Sequence, residues 1–553
     1  MSLTRSVTTT AGIHLLGTAA LLALSGSIAA QAQTTATKLL PFAAVERQLP
    51  NGLKVIVVPT GFPNLVSLQI PVQTGSRNEI EIGKSGFAHF FEHMMFRGTP
   101  RYTPEAYQNI LTLAGARQNA YTSNDYTNYH TTFAKEDLAT MLEIEADRFA
   151  NLSYSQEAFK TEARAVLGEY NKNSADPTEQ LFEAQRALAF TTHPYRHTTM
   201  GFLKDVEDMP NQFEYSKIFF SRWYRPEYTT LIIAGDVTAE EVMPLVEKFW
   251  GAWPSGSYKA DISQEPAPRG PLKTHVNWPT TTLPWVTVAF HAPRISETSR
   301  DFAALDMVLD LTFGSTSALY KRLVVDEQKV DDFGIYNPPS TDPYLATIYA
   351  RLKTPEDAPY VRDAILEAVA SIRTAAPSPQ RLADAKSNAR YSLLRSLDNT
   401  ESIASLLAQY VRFNRSYETL NNVYGVYEAL TPNDLLGAAR TYLTDEGLVQ
   451  TTLTMGPLPA AIDTIPRLST LSPRAPAPLS ATVQRSPLPQ LNIQLLFRSG
   501  SRHDPQGKEG LARLAASMIA EAGSQSKRID EIEKAFYPMA ASFTADVDKE
   551  MTV

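Results

Sequence analysis

Two widely separated stretches of this chain follow the same plan. Residues 75–98 read GSRNEIEIGKSGFAHFFEHMMFRG, and residues 500–523 read GSRHDPQGKEGLARLAASMIAEAG. Each opens on Gly-Ser-Arg, passes a short glycine-bearing loop, enters an apolar pattern of helical spacing and stops at glycine. The segments before them, LVSLQIPVQTGSR and LNIQLLFRSGSR, alternate apolar and polar side chains into the same triplet, which predicts a strand in each. Agreement over strand, loop, helix and closing glycine points to an internal duplication. Strands and helices that interleave with hairpin-like pairs in each full unit suggest an α+β layer fold.

Proline marks the boundaries. Runs at about 261–274 (DISQEPAPRGPLKT) and about 456–490 suit extended connections. They predict a first unit at 40–260, a second at 275–455, a Pro-rich linker at 456–484 and an incomplete third unit at 485–553. In the first unit LKVIVVP, VSLQIPVQ and TTLIIAGDV read as strands, 84–97 and 156–173 as helices, and 116–133 has the alternation of a strand. In the second, WVTVAFHAP reads as a strand and RDFAALDMVLDLTF as a helix.

The N-terminus reads as a secretory signal. Arg5 supplies the positive region, an apolar stretch runs from about Ala11 to Ala30, and Ala30-Gln31-Ala32 fits a small-x-small cleavage site, placing the signal peptide at 1–32. No later run is long and apolar enough for a membrane span. The expected location is the periplasm or the cell exterior. A net charge of −8 argues against a nucleic-acid partner. The absence of cysteine removes thiolate chemistry and thiolate metal ligands, so any transition-metal site must use histidine and carboxylate.

Nine histidines remain, and two of them carry the strongest signal: His89-Phe90-Phe91-Glu92-His93. Positions i and i+4 share a helical face, so both imidazoles can reach one ion. Glu92 projects beside them as a carboxylate free to take a proton. The bland alternative is two histidines packed on a helix beside a solvated glutamate. A third ligand is available on the amphipathic segment 156–173, where Glu162 and Glu169 stand seven apart, two turns along one face. From the residues alone, these glutamates either complete the site or face solvent as most helical glutamates do. His193 and His197 repeat the i, i+4 spacing, but Pro194 between them favours a loop.

With these residues in hand, the chain resembles the pitrilysin/insulinase family of zinc metallopeptidases, whose inverted H-x-x-E-H motif is followed about 75 residues later by an E-x6-E pair. Glu169 lies 76 positions after His93, with Glu162 seven before it. The resemblance also covers Asn119-Ala120-Tyr121-Thr122, Asp125-Tyr126-Thr127, His193-Pro194-Tyr195 and Trp223-Tyr224-Arg225-Pro226 leading to Gly235-Asp236-Val237. It implies one Zn2+ per chain held by His89, His93 and Glu169, with Glu92 as catalytic base and Glu162 as a supporting carboxylate. It implies that 116–133 offers an edge on which an extended peptide adds as a strand, with Asn119 and Ala120 touching the peptide backbone. The implied fold is a set of repeated mitochondrial-processing-peptidase-like units, each an antiparallel-rich sheet layered with helices, normally forming a two-halved clamshell. The implied activity is a zinc metalloendopeptidase acting on peptides or unfolded protein segments. The alternative is a catalytically weak or inactive member serving as a binding or assembly subunit.

Two departures from the family pattern stand out. With Gly510 aligned on Gly86, the third unit carries Arg513, Ala516 and Ser517 where His89, Glu92 and His93 stand, so it cannot hold zinc. The family also places an arginine and a tyrosine, spaced as L-R-x5-6-Y, in its inactive half, and here Val324 and Asp331 fall at those places. Full activity is therefore expected to need a further inactive half, supplied by more chain or by a partner chain.

Overall fold

The computed structural model describes residues 39–471, 497 and 499–552. The predicted signal peptide, residues 472–484 of the predicted linker and most of the strand before the third unit lie outside the described residues.

Two sheets organise the molecule. The first holds β1 (Val45–Gln48), β2 (Lys54–Pro59), β3 (Leu65–Val72), β4 (Arg117–Thr122), β5 (Thr127–Ala134) and β6 (Thr230–Gly235), in the order β1-β2-β6-β3-β5-β4. The second holds β7 (Leu272–Asn277), β8 (Trp285–Ala292), β9 (Val330–Tyr336), β10 (Tyr344–Leu352) and β11 (Leu448–Thr454), in the order β7-β11-β8-β10-β9. Apart from β1 the two share one topology. The pairs β2–β6 and β7–β11 are parallel, and every other neighbouring pair is antiparallel. The sequence comparison linked 75–98 with 500–523; the backbone also relates the first sheet to the second, where little side-chain pattern is shared.

Several sequence expectations shift. The predicted strand 116–133 is two strands, because Ser123 and Tyr126 close a turn, with Ser123 N donating to Tyr126 O at 2.8 Å. The break expected at 261–274 ends earlier, since β7 begins at Leu272 and pairs with β11. The segment 456–471 is not a free linker, because Ile462 and Leu468 are buried in the second core. The helix expected at 84–97 is confined to Phe87–Met94, whereas Gln156–Asn173 spans its predicted range. Among the described residues one helical run, 301–326, is apolar and long enough to cross a bilayer. Leu305, Val308 and Leu309 bury it in the second core.

Each sheet borrows a cover from the other half of the chain. Helix Thr400–Asn414 follows the second sheet's β10 in sequence but packs on β3 and β6 of the first. There Ile403, Leu407 and Val411 bury against Ile56, Val58 and Ile232. Helix Pro177–Ala189, reached directly from the first sheet's helices, packs on β7 and β11. Its Leu181 meets Trp285 and Leu453, and its Gln185 side chain donates to Thr287 Oγ1 and accepts from Thr347 Oγ1. This exchange explains a mismatch at β3. Its alternation predicts one wet face, yet Ser67 and Gln69 are fully buried. Their polar atoms are satisfied internally, with Asn128 Nδ2 donating to Gln69 Oε1 at 2.8 Å and Gln69 Nε2 donating to Ser67 Oγ at 3.2 Å.

The C-terminal segment repeats the local geometry of 75–94. A 3-10 turn (Ser501–His503) precedes helix Leu511–Glu521, and Gly510 opens that helix at φ 95° as Gly86 opens its own at φ 93°. Asp504 accepts from the backbone N–H groups of Gly510 and Ala512, as Glu79 accepts from Gly86 and Ala88. The segment docks on helix Pro379–Arg395, where Asn388 Nδ2 donates to Tyr537 O at 2.6 Å.

The borrowed helix is a strong prediction about stability. Leu407→Ala opens a cavity in a fully buried site and should cost about 2–5 kcal/mol. Denaturant melts check this; a loss under about 1 kcal/mol would mean that the exchanged helix is not part of the cooperative core.

Candidate metal centre

The centre starts from how the chain caps one short helix. Helix Phe87–Met94 begins at Gly86, whose left-handed φ favours glycine. A Cβ there would also meet the Met200 carbonyl oxygen at 2.8 Å. The buried Glu79 carboxylate closes the helix N-terminus, Oε2 accepting from Gly86 N and Oε1 from Ala88 N, both at 2.7 Å. Burial pushes the Glu79 carboxyl up to about 8, against the backbone donors that pull it down.

Aromatic packing then sets the helix against its neighbours. Phe91 stacks on Phe219 with ring centroids 5.5 Å apart. Phe90 meets Phe159 edge-on at 4.9 Å. Phe159 belongs to helix Gln156–Asn173, so this contact holds the two helices side by side. That helix is capped by Ser155, whose side chain accepts from Ala158 N.

These contacts bring the predicted residues together. The imidazoles of His89 and His93 lie 4.8 Å apart, centroid to centroid. Glu169 Oε2 sits 3.7 Å from His89 Nε2 and 3.4 Å from His93 Nε2. One donor atom from each of the three lies within 4.8 Å of the others, and among the described residues this is the one such group of three. Glu162 is elsewhere on the same helix: its Oε1 accepts from His93 Nδ1 at 2.9 Å, and it is ion-paired with Arg97. His93 therefore keeps Nε2 free on the side of Glu169. Glu92 is outside the donor group, and its Oε2 accepts from Thr122 Oγ1 at 2.6 Å.

Electrostatics sort these groups. Burial, then the neighbouring His93, lowers His89 to about 4, so its ring is a neutral electron-pair donor at pH 7. The hydrogen bond to Glu162 raises His93 despite its burial. Burial raises Glu162, but His93 and Arg97 outweigh it and hold the carboxyl below its ordinary value. Burial raises Glu92, with the Thr122 hydroxyl opposing. Two imidazole nitrogens and one carboxylate oxygen, with no thiolate, are a donor set that fits Zn2+.

The two predicted substrate contacts lie on β4, the edge of the first sheet. Asn119 is exposed, and its Oδ1 accepts from Ala120 N at 2.9 Å. The Ala120 amide is thus covered by its neighbour's side chain. The second histidine pair has other partners: His193 Nε2 donates to Asp342 Oδ2, and His197 Nδ1 donates to Thr198 O. At the departures noted above, Asp331 is paired with Arg351 (2.9 and 3.1 Å).

Sequence reasoning missed three residues at the centre. Arg97, Thr122 and Glu79 each act through a contact made only on folding. Two left a trace: Thr122 lies in a stretch that the resemblance covers, though without a role, and an acidic residue follows Gly-Ser-Arg in both copies, as Glu79 and as Asp504.

Fold and site together define a two-sheet α+β protein of metallopeptidase type, with an inverted H-x-x-E-H helix beside a glutamate helix. Residues 55–202 match the insulinase (peptidase family M16) domain, and residues 214–389 match the peptidase M16 inactive domain. The chain belongs to peptidase family M16, the insulinase family. It is 25% identical over 403 residues to the zinc protease PqqE of Helicobacter pylori, covering 72% of this chain and 89% of that protein. It is 24% identical over 411 residues to the mitochondrial-processing peptidase subunit beta of Blastocladiella emersonii, covering 72% of this chain and 86% of that one. The periplasmic protease PqqL from Escherichia coli shares the fold at a TM-score of 0.65 and 19% identity, over 93% of this chain and 64% of that one.

Glu79 makes the scaffold of the centre pH-sensitive. Its folded value of about 8 lies above the ordinary 4.5, so the native state holds an extra proton in that window. That contribution is complete below the lower value and is lost as pH rises through the upper one. Urea midpoints should therefore fall from about pH 5 to about pH 8, and fall less steeply in Glu79→Gln. Equal slopes in the two proteins would contradict this assignment.

Proposed function

We propose that this chain is a zinc-dependent metalloendopeptidase that hydrolyses peptide bonds in peptides or unfolded protein segments. The observation that carries the reading is the convergence of His89, His93 and Glu169 on one point, with Glu92 beside it but outside the donor group.

His89 and His93 would hold the ion through Nε2 and Glu169 through a carboxylate oxygen. Bound there, zinc supplies a Lewis acid that lowers the pKa of water and polarises a scissile carbonyl. The chain's own residues do the rest. Glu162 fixes the His93 ring by accepting its Nδ1 proton, with Arg97 paired behind it. Glu92, its carboxyl raised by burial, takes a proton from the attacking water and returns it to the leaving amine. The Thr122 hydroxyl aims that carboxylate. An extended peptide adds to β4 as a further strand, the Asn119 side chain giving up the Ala120 amide to the peptide's carbonyl.

The site of action is the periplasm or the cell exterior, a reading supported by the signal-like residues 1–32 and by the periplasmic relative. The segment 500–523 is a degenerate copy of 75–98, with Arg513, Ala516 and Ser517 in place of the metal-binding and basic groups. Its helix leaves Leu514 and Met518 exposed, where the matching Phe90 and Met94 are fully buried. A second reading, a binding or assembly subunit, is favoured by one observation: Asp331 stands where the family has its tyrosine and is engaged by Arg351.

One variant separates the two. Wild type and Glu92→Gln should each retain one zinc per chain by elemental analysis, while peptide cleavage falls at least about hundredfold in the variant. Zinc-loaded wild type that cleaves no unstructured peptide, even with a partner half supplied, would establish the subunit reading instead.

A further inference from the structure

The hydrogen bonds of His193 and Tyr195 run to the β4–β5 turn and to the second sheet. Asp125 sits in that turn and is nearly buried. Its Oδ1 accepts from Tyr195 Oη at 2.5 Å, and its Oδ2 accepts from Thr341 N at 2.9 Å. Thr341 and Asp342 lie in the loop that enters β10, so one carboxylate joins the catalytic sheet's hairpin to the second sheet. Tyr195 Oη also accepts from Asp342 N at 3.3 Å, and its ring is fully buried edge-on to Tyr344.

A second layer closes around the same point. Asp342 Oδ2 accepts from His193 Nε2 at 2.9 Å and from Arg77 Nε at 2.5 Å. His193 Nδ1 accepts from Tyr195 N at 3.0 Å, so one neutral tautomer satisfies both ring nitrogens. Arg77 in turn donates its backbone N–H to Asn124 O in the hairpin turn. The approach is close: a Cβ on Gly75 would stand 2.4 Å from Ser123 O. The turn is gripped from one side by 75–77 and from the other by 341–342.

The turn leads straight to the chemistry. Thr122, the last residue of β4, donates to Glu92, and β4 is the free edge of the sheet. We propose that Arg77, Asp125, His193, Tyr195 and Asp342 form a lock through which the second sheet sets the position of the β4–β5 hairpin. Tyr195 and Asp342 are thereby positioning residues for the edge that receives the peptide and for the hydroxyl that aims Glu92. The lock gives the His193-Pro194-Tyr195 motif and the second sheet a part in the reaction without contact to substrate. It rests on the peptidase reading only for its effect on turnover; the ordering of the hairpin is independent of that reading.

The test uses the full chain loaded with zinc. Tyr195→Phe removes a single oxygen and both of its bonds while keeping the buried ring, and Asp342→Asn is a second variant that perturbs the lock from the other side. Three quantities are measured: amide hydrogen exchange over 117–126, zinc affinity by chelator competition, and kcat/KM on an unstructured peptide. The lock predicts exchange at 117–126 accelerated at least about tenfold relative to the rest of the first sheet, kcat/KM lowered by about tenfold or more, and zinc affinity within about twofold of wild type. Either variant folding with exchange at 117–126 unchanged overturns the proposal, and so does loosening spread evenly over the chain. If wild type itself cleaves nothing, the peptidase reading fails, and the exchange experiment still decides the lock.

Discussion

An α-helix returns to the same face every 3.6 residues, so His89 and His93 reach one point only while their single short helix stays intact and fixed in orientation. Everything near the centre serves that condition. Glu79 and Gly86 close the helix at its start, the Phe91–Phe219 stack seats it on the core, and Phe90 against Phe159 sets the distance to the helix that carries Glu162 and Glu169. Glu169 from that neighbouring helix stands within 4.8 Å of both imidazoles, and a zinc ion held by three such side chains would leave a position for water or substrate.

The same logic of shared support extends to the two sheets. Each is covered on one side by a helix from the other half of the chain, Thr400–Asn414 on the first and Pro177–Ala189 on the second. Each half closes the main core on one face of its sheet and takes the exchanged helix on the other. The second half therefore supports the sheet beside the candidate centre, although none of the three grouped side chains lies in it. The family domains divide the chain differently: the insulinase domain matches 55–202, and the inactive domain, matching 214–389, takes in β6 of the first sheet.

What was legible in the sequence follows from range. The metal helix and the E-x6-E helix were readable because helical periodicity is local and both patterns lie within a few turns. The duplication at 75–98 and 500–523 was readable because its Gly-Ser-Arg triplet, its apolar helical pattern and its glycines recur at matching places. Contacts between distant segments were not readable. Thr122 reaching Glu92, Arg97 reaching Glu162, and Asp125 reaching Thr341 depend on which strands and loops become neighbours. The likeness of the second sheet to the first was hidden for the same reason, since topology is kept in the order of strand pairing rather than in side chains. The strand at β3 was legible from its alternation, but the burial of its polar row was not, because its cover comes from residue 400 onward.

In the proposed centre one ion is held by two imidazoles from one helical turn and a carboxylate from another helix. Zinc K-edge absorption of the zinc-loaded chain tests this directly. The expected spectrum shows a shell of nitrogen and oxygen at about 2.0–2.2 Å with two imidazole ligands, falling to one in His93→Gln. A shell of oxygen alone, or an imidazole count unchanged by that substitution, would contradict it.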